Sequence, residues 1–159
     1  MGAAPIIRPA QASDLEAINE LLRQVLRVHH AGRPDLFRKE GKKFTDEELL
    51  ALFSNPDTPV FVYEKDGVVL GHAFCVIRFQ ESGSLRPVKT LHLEDLCVHE
   101  EARGHHIGKQ LFAYVKEVAK ERGCHHIDLN VWACNRPARA FYESLGLTEQ
   151  YTSLELILD

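Results

Sequence analysis

No apolar run in this 159-residue sequence approaches the roughly 20 residues that a membrane-spanning helix needs. The opening MGAAPIIRPA lacks the apolar core of a secretory leader, so a cytoplasmic protein with no membrane partner is expected. Ile6 stands where a myristoylation signal would have Ser or Thr. Cysteine is sparse, and Cys75, Cys97, Cys124 and Cys134 show no close-paired metal spacing, which reads as reduced thiols. Histidine occurs in the adjacent pairs His29-His30, His105-His106 and His125-His126, and strand neighbours point apart. Cys124-His125-His126 and Cys97-x-His99 lack the second half of a zinc pattern, so no metal is expected. Charge of neither sign dominates: 19 basic against 23 acidic residues give −4, which argues against a nucleic-acid partner. Repeats, low-complexity tracts and linkers are missing too. That leaves one domain, 1–159, large enough for a core without staples.

What is present is strong punctuation. Pro5 to Arg8 reads as a first strand, and Ser13-Asp14-Leu15-Glu16 as a capping box opening a helix. Leu15, Ile18, Leu22 and Val25 form one face of that helix, which fades near His29-His30. A second capping box, Thr45 to Glu48, opens a shorter helix. Strand-like runs at Pro59–Glu64 and Val68–Phe79 meet at Asp66-Gly67, a hairpin signal. A loop over 80–88 then precedes a strand from Lys89 to His99. Its alternation changes phase: Leu91 and Leu93 share one face, while Leu96 and Val98 fall on the other. An extra residue near Glu94-Asp95 restores the pattern, which predicts a β-bulge and, with it, neighbouring strands splayed around a slot. A central strand apolar on both faces is the alternative.

Ile107 to Arg122 is amphipathic, with Ile107, Leu111, Val115 and Val118 inward, and Gly123 closes it. His126 to Trp132 alternates as a strand. Asn135 caps a helix that tolerates Pro137 in its first turn and stops at Gly146. Leu154, Leu156 and Leu158 alternate in a terminal strand. Between the phase-shifted strand and the amphipathic helix lies Arg103-Gly104-His105-His106-Ile107-Gly108-Lys109. Strand, glycine-bearing basic turn and helix N-terminus together suit a phosphate, because free N–H groups and the helix dipole both favour an anion. An ordinary strand-to-helix turn gives the same letters. The GxGxxG of dinucleotide-binding folds is missing.

Two stretches carry more specific information: LHLEDLCVHEEARGHHIG at 91–108 and NVWACNRPARAFYESLGL at 130–147. Both resemble signatures of the GNAT superfamily of acetyl-CoA-dependent N-acetyltransferases. Arg103 and Gly108 fit the pyrophosphate-loop pattern, although His106 stands where glycine is usual. Asn135, Ala138, Phe141, Tyr142 and Gly146 fit the second motif. The resemblance implies an α/β (α+β) fold with one mixed, mostly antiparallel sheet of six to seven strands. A splayed central parallel pair and about four flanking helices complete it.

The same resemblance implies acetyl-CoA as cosubstrate. Its diphosphate would lie on Arg103, Gly104, His105, His106, Ile107, Gly108 and Lys109, and its pantetheine arm along Leu96, Cys97 and Val98. Asn130, Asn135, Ala138 and Tyr142 complete the expected cofactor contacts. The Leu96 N–H would face the reacting carbonyl, and Tyr142 would protonate the leaving thiolate. The acceptor amine must lose a proton, since alkylammonium groups titrate near about 10.4. Glu94 is the preferred base, with His92 and then Asp95 behind it. Cys97 as an acyl-accepting nucleophile is the rival route, although a small buried thiol is the simpler reading. The acceptor is read as a small-molecule primary amine, attacked directly in a ternary complex. A protein or peptide acceptor and a non-catalytic acyl-CoA-binding module are the alternatives, and a homodimer is compatible with each.

Overall fold

The computed structural model describes residues 2–159. Its strands are β1 (Ile6–Pro9), β2 (Val60–Lys65), β3 (Val68–Ser82), β4 (Leu85–Val98) and β5 (His126–Asp128). Its α-helices are α1 (Leu15–Gly32), α2 (Asp46–Ser54), α3 (Ile107–Glu121) and α4 (Arg136–Ser144). One sheet runs in the order β1-β2-β3-β4-β5, antiparallel as far as β4 and parallel between β4 and β5. The mixed sheet and four helices match expectation, but five strands replace the six to seven anticipated. Two shortfalls account for this. Strand β5 stops at Asp128 rather than Trp132, and residues 148–159, with the alternating leucines, form no strand. Alternation supplies a face but not a partner, and a strand needs a ladder.

The sheet separates two cores. On one side Ile107, Leu111, Phe112 and Val115 of α3 cover Ala73, Cys75, Leu91 and Leu93. On the other, Ile18 and Leu22 of α1 and Leu49 of α2 cover Val60, Val62 and Phe74. Asp66 and Gly67 both have positive φ, 53° and 78°, as a two-residue hairpin turn requires. The expected 80–88 loop is instead a second hairpin, turning at Gly83 between β3 and β4.

The Thr45 capping box forms as read: the Glu48 N–H donates to Thr45 Oγ1 at 3.1 Å and the Thr45 N–H to Glu48 Oε1 at 3.0 Å. The Ser13 box does not. A 3-10 turn at Ala12–Asp14 precedes α1, and the Gln11 N–H donates to Asp14 Oδ2 at 2.8 Å. Asp14 also accepts two hydrogen bonds from the Arg8 guanidinium, at 2.8 and 3.0 Å. The far end of α1 passes His29-His30 and reaches Gly32.

Burial alone would raise the Asp14 pKa, but Arg8 and the Gln11 N–H outweigh it and hold the carboxyl below its ordinary range. The contribution to stability is therefore complete above the unfolded value of about 3.9. It is lost as pH falls through the lower folded value. Asp14→Asn should cost about 2 kcal/mol at neutral pH, because the nearly buried carboxyl gives up its charge-assisted hydrogen bonds from Arg8, which keeps only the Glu64 carboxylate, at 2.8 Å. Thermal melts should show the gap to wild type narrowing below about pH 4; a gap that held constant would show that Asp14 acts by packing alone.

Candidate active site

Phe74 pairs with Asp95 and Cys75 with Leu93, so Glu94 is the unpaired extra residue. The expected bulge lies there. It sets the phase of everything beyond it. Before it, His92 is turned away from the α3 core while Leu91 and Leu93 enter that core. After it, Asp95 shares a face with Phe74, and the Cys97 thiol reaches Leu21 O of α1 at 3.4 Å. The bulge thus keeps His92, Asp95 and Cys97 together on the α1/α2 side of the sheet.

Strand β5 accompanies β4 only through Thr90–His126, Leu91–Ile127 and His92–Asp128. Beyond these pairs the two strands part, leaving a slot beside Glu94 to Val98. The His99 N–H donates to Leu70 O of β3 at 2.8 Å. Because successive N–H groups of a strand face opposite edges, Cys97 also points toward β3. Leu96 and Val98 therefore direct their N–H groups into the slot, where a ligand backbone or carbonyl could accept from them.

Around the slot stands a chain of proton-bearing groups. His92 Nδ1 lies 2.6 Å from Asp128 Oδ1, and His92 Nε2 lies 3.4 Å from Glu94 Oε2. Lys43, from the segment before α2, approaches Glu94 Oε1 at 3.5 Å. His92 is buried, whereas Glu94 is 36% exposed and open to an incoming molecule. A second pair lies beside it: buried His72 Nε2 is 2.6 Å from Asp95 Oδ2, while His72 Nδ1 has no partner. Asp128 and His72 escaped the sequence reading. Asp128 was detectable, because His126, Asp128 and Asn130 alternate with Ile127, Leu129 and Val131 in the sequence. His72 gave no signal within an apolar run.

Tyr142 of α4 is half-buried and stacks edge-on against Phe141 at 5.2 Å. Burial, followed by the nearby Asp95 and Cys97, raises its pKa well above that of a free phenol, so it keeps its proton at neutral pH. Burial, then Asp95, pushes the Cys97 thiol up to about 12. A thiol so reluctant to ionise is a poor nucleophile, which disfavours the Cys97 route. His29, near Asp95 and Lys43, has its pKa lowered, chiefly by burial.

At the mouth of the slot, Gly104 and His106 have φ of 87° and 61°, and His106 is the N-cap of α3 without a side-chain cap bond. The Gln110 N–H closes the first turn onto His106 O at 3.0 Å. The N–H groups of Ile107, Gly108 and Lys109 precede that bond and belong to the open helix end. The glycine usual at position 106 now has a physical reason, for the backbone is left-handed there. His106→Gly should relieve up to about 1 kcal/mol of strain and leave acetyl-CoA affinity near wild type. A marked loss in calorimetry would assign the imidazole a contact of its own. A Cβ on Gly108 would lie 3.1 Å from Phe141 Cζ and 3.7 Å from Val98 Cγ2, so this glycine lets α3 meet α4 and β4 closely. Arg103, His105 and Lys109 are exposed, with Ile107 buried beneath them. Asn135 caps α4 by accepting from the Ala138 N–H at 3.2 Å; Asn130 is exposed on the segment after β5.

Among the described residues, no three His, Cys, Asp or Glu side chains are grouped to hold a metal ion, and no helix is long and apolar enough to cross a membrane.

The model of the acetyltransferase (GNAT) family matches residues 18–147. A glucosamine 6-phosphate N-acetyltransferase of Trypanosoma brucei brucei is 30% identical over 152 residues, 96% of this chain and 95% of its own length. The crystal structure of a mutant of the BH1408 protein from Bacillus halodurans superposes with a TM-score of 0.92 at 29% identity. That match covers 96% of this chain and 99% of the other. An aminoglycoside N-acetyltransferase solved in complex with CoA shares the fold at a TM-score of 0.72 and 20% identity, over 99% of this chain and 97% of its own.

Proposed function

The chain belongs to the GNAT family of acetyltransferases and is an acetyl-CoA-dependent N-acetyltransferase; from that premise we propose that it acetylates the primary amine of a small molecule by direct attack in a ternary complex. The observation that carries this reading is convergence on one slot. Glu94 at the bulge, the His92–Asp128 pair and the Leu96 N–H lie where β4 and β5 part, and Tyr142 of α4 is near enough to feel Asp95 and Cys97. Acetyl-CoA supplies the activated acetyl group. The open N–H groups at the start of α3 suit its diphosphate, and Gly108 lets that helix end pack closely on α4 and β4. Leu96 to Val98 offer main-chain donors to the pantetheine arm.

Glu94 accepts the proton of the acceptor ammonium. Behind it, His92 takes up the charge, its ring fixed by Asp128 as a carboxylate orients an imidazole in a hydrolase triad. The Leu96 N–H donates to the oxygen that becomes negative, and Tyr142 gives its proton to the departing sulfur. Two cavities offer room for an acceptor, and Glu94 borders one of them. One of about 200 Å³ is bordered by Phe44, Leu52, Phe74 and Glu94. Another of about 310 Å³ lies between His29, Gly32, Trp132 and Cys134. Such volumes suit a small ligand better than a peptide. The cations beside these cavities, Lys43 at Glu94 and Arg33 over Trp132, are already paired with carboxylates, Arg33 with both Asp35 and Glu155, which favours an unphosphorylated amine over an acceptor like glucosamine 6-phosphate. We take 1–159 as a single catalytic domain working in the cytoplasm, where its four free thiols remain reduced.

The test is release of free CoA thiol from acetyl-CoA across a panel of amines, half of them phosphorylated. Turnover confined to phosphorylated acceptors would overturn the substrate reading. Tyr142→Phe removes one oxygen, so folding and acetyl-CoA binding should survive. The transfer rate should fall tenfold or more, about 1.4 kcal/mol if chemistry limits turnover. Undiminished single-turnover rates in the folded variant would leave Tyr142 as a packing residue.

A further inference from the structure

The smaller of the two cavities is apolar and carries a single charge at its border. It measures about 200 Å³ and lies between α2 and the sheet, walled by Phe44, Leu52, Val60, Phe74 and Val76. The Phe44 and Phe74 rings are parallel, with centroids 5.9 Å apart. Thr58 also borders it, but its hydroxyl already donates to Leu52 O at 2.9 Å. Among the described residues that line it, Glu94 alone is a charged group. Val76 pairs across the sheet with His92, so the cavity abuts the proposed proton path. The larger cavity, by His29 and Trp132, has no carboxylate among its described lining residues, and an ammonium there would meet no counter-charge.

The chain itself places a cation where the acceptor's would stand. The Lys43 ammonium lies 5.5 Å from the centre of the Phe44 ring and 3.5 Å from Glu94 Oε1, so carboxylate and aromatic face together already hold an alkylammonium. Lys43 is 46% exposed, and exposed ion pairs hold weakly, so an incoming amine can displace it into solvent.

On the premise of acetyl transfer at Glu94, we propose that this cavity receives the tail of the acceptor, and that the acceptor is a primary amine with an apolar tail of about six carbons, since an apolar cavity of about 150 Å³ admits benzene. The walls set the class of tail. A hydroxyl or a second ammonium carried into the cavity would exchange water for Phe44, Leu52, Val60, Phe74 and Val76, none of whose side chains can hydrogen-bond to it, and that loss is costly. Methylene groups lose nothing there and leave water, which is favourable for each one buried. Glu94 at the border then meets the one charge that such a molecule carries.

The test is kcat/KM for n-alkylamines from propyl to decyl, with 1,6-diaminohexane and glucosamine beside them, read as release of CoA thiol. The value should rise about fourfold per methylene, equivalent to about 0.8 kcal/mol for each CH₂ buried, and level off near hexyl. Hexylamine should exceed 1,6-diaminohexane by roughly tenfold or more. A flat series, or a preference for the diamine or for glucosamine, overturns the apolar tail while leaving acetyl transfer intact. Leu52→Ala enlarges the cavity and should move the preferred chain length upward, a gain that a damaged fold cannot produce; an unmoved optimum places the tail elsewhere. If no amine is acetylated, the transfer premise fails by itself, and calorimetry with the same alkylamines still decides the cavity. Affinity graded with chain length supports it, and ungraded binding overturns it.

Discussion

Glu94→Gln is expected to lower turnover by about 10²–10⁴ while acetyl-CoA binds almost as before. The substitution keeps the shape of the bulge residue and removes only its ability to hold a proton. Glu94 borders the slot 3.4 Å from His92 Nε2, while the proposed diphosphate contacts are main-chain groups at the start of α3, so affinity and rate should separate. Raising pH should partly restore the rate, because more of the acceptor arrives as free amine. The comparison with His92→Gln is informative. If Glu94 is the first proton acceptor, its loss should exceed that of His92, and Asp128→Asn should resemble His92→Gln. A pH–rate profile unchanged in Glu94→Gln would transfer the role to His92, or to Asp95 on its His72 partner.

A comparably large effect is expected at Gly108, this time on binding. The Cβ direction points between α3 and α4, 3.1 Å from Phe141, rather than out over the loop. Gly108→Glu should therefore act twice. It drives the α4 ring away from the slot, and it sets a carboxylate beside the N–H groups that the diphosphate needs. Titration calorimetry should show affinity for acetyl-CoA reduced by about a hundredfold or more, since charge-assisted hydrogen bonds are worth about 1.5–3 kcal/mol each. Gly108→Ala separates the two causes: a methyl group needs Phe141 to give by only a few tenths of an ångström, and it adds no charge. Equal losses in the two variants would make packing the whole effect, and a Gly108→Glu protein binding normally would remove the diphosphate from this helix end.

The sequence was legible wherever a local rule decides the structure. The Thr45 box, the Asp66-Gly67 turn, the Asn135 cap and the bulge at Glu94 all follow from hydrogen bonds or side-chain parity within a few residues. It was illegible where a distant partner decides. Nothing near Ser13 shows that Arg8 will claim Asp14 and move the start of the helix. Nor do alternating leucines at 154, 156 and 158 show that they will form no ladder. The site divides in the same way. Tyr142 and the 103–109 loop were named from motifs, whereas Asp128 and His72 matter only because β5 and β3 bring them against His92 and Asp95.

The alternation along β4 has a consequence for how such an enzyme can change over generations. The side chains proposed to handle the acceptor, at 92, 94 and 95, project from the strand's face, while the proposed donors for the carrier arm are the amides of its rim. Amides are encoded by no codon. Mutation can therefore revise which amine is accepted and how its proton is managed, while the strand's hold on the donor's carrier arm is inherited unaltered so long as the strand keeps its shape.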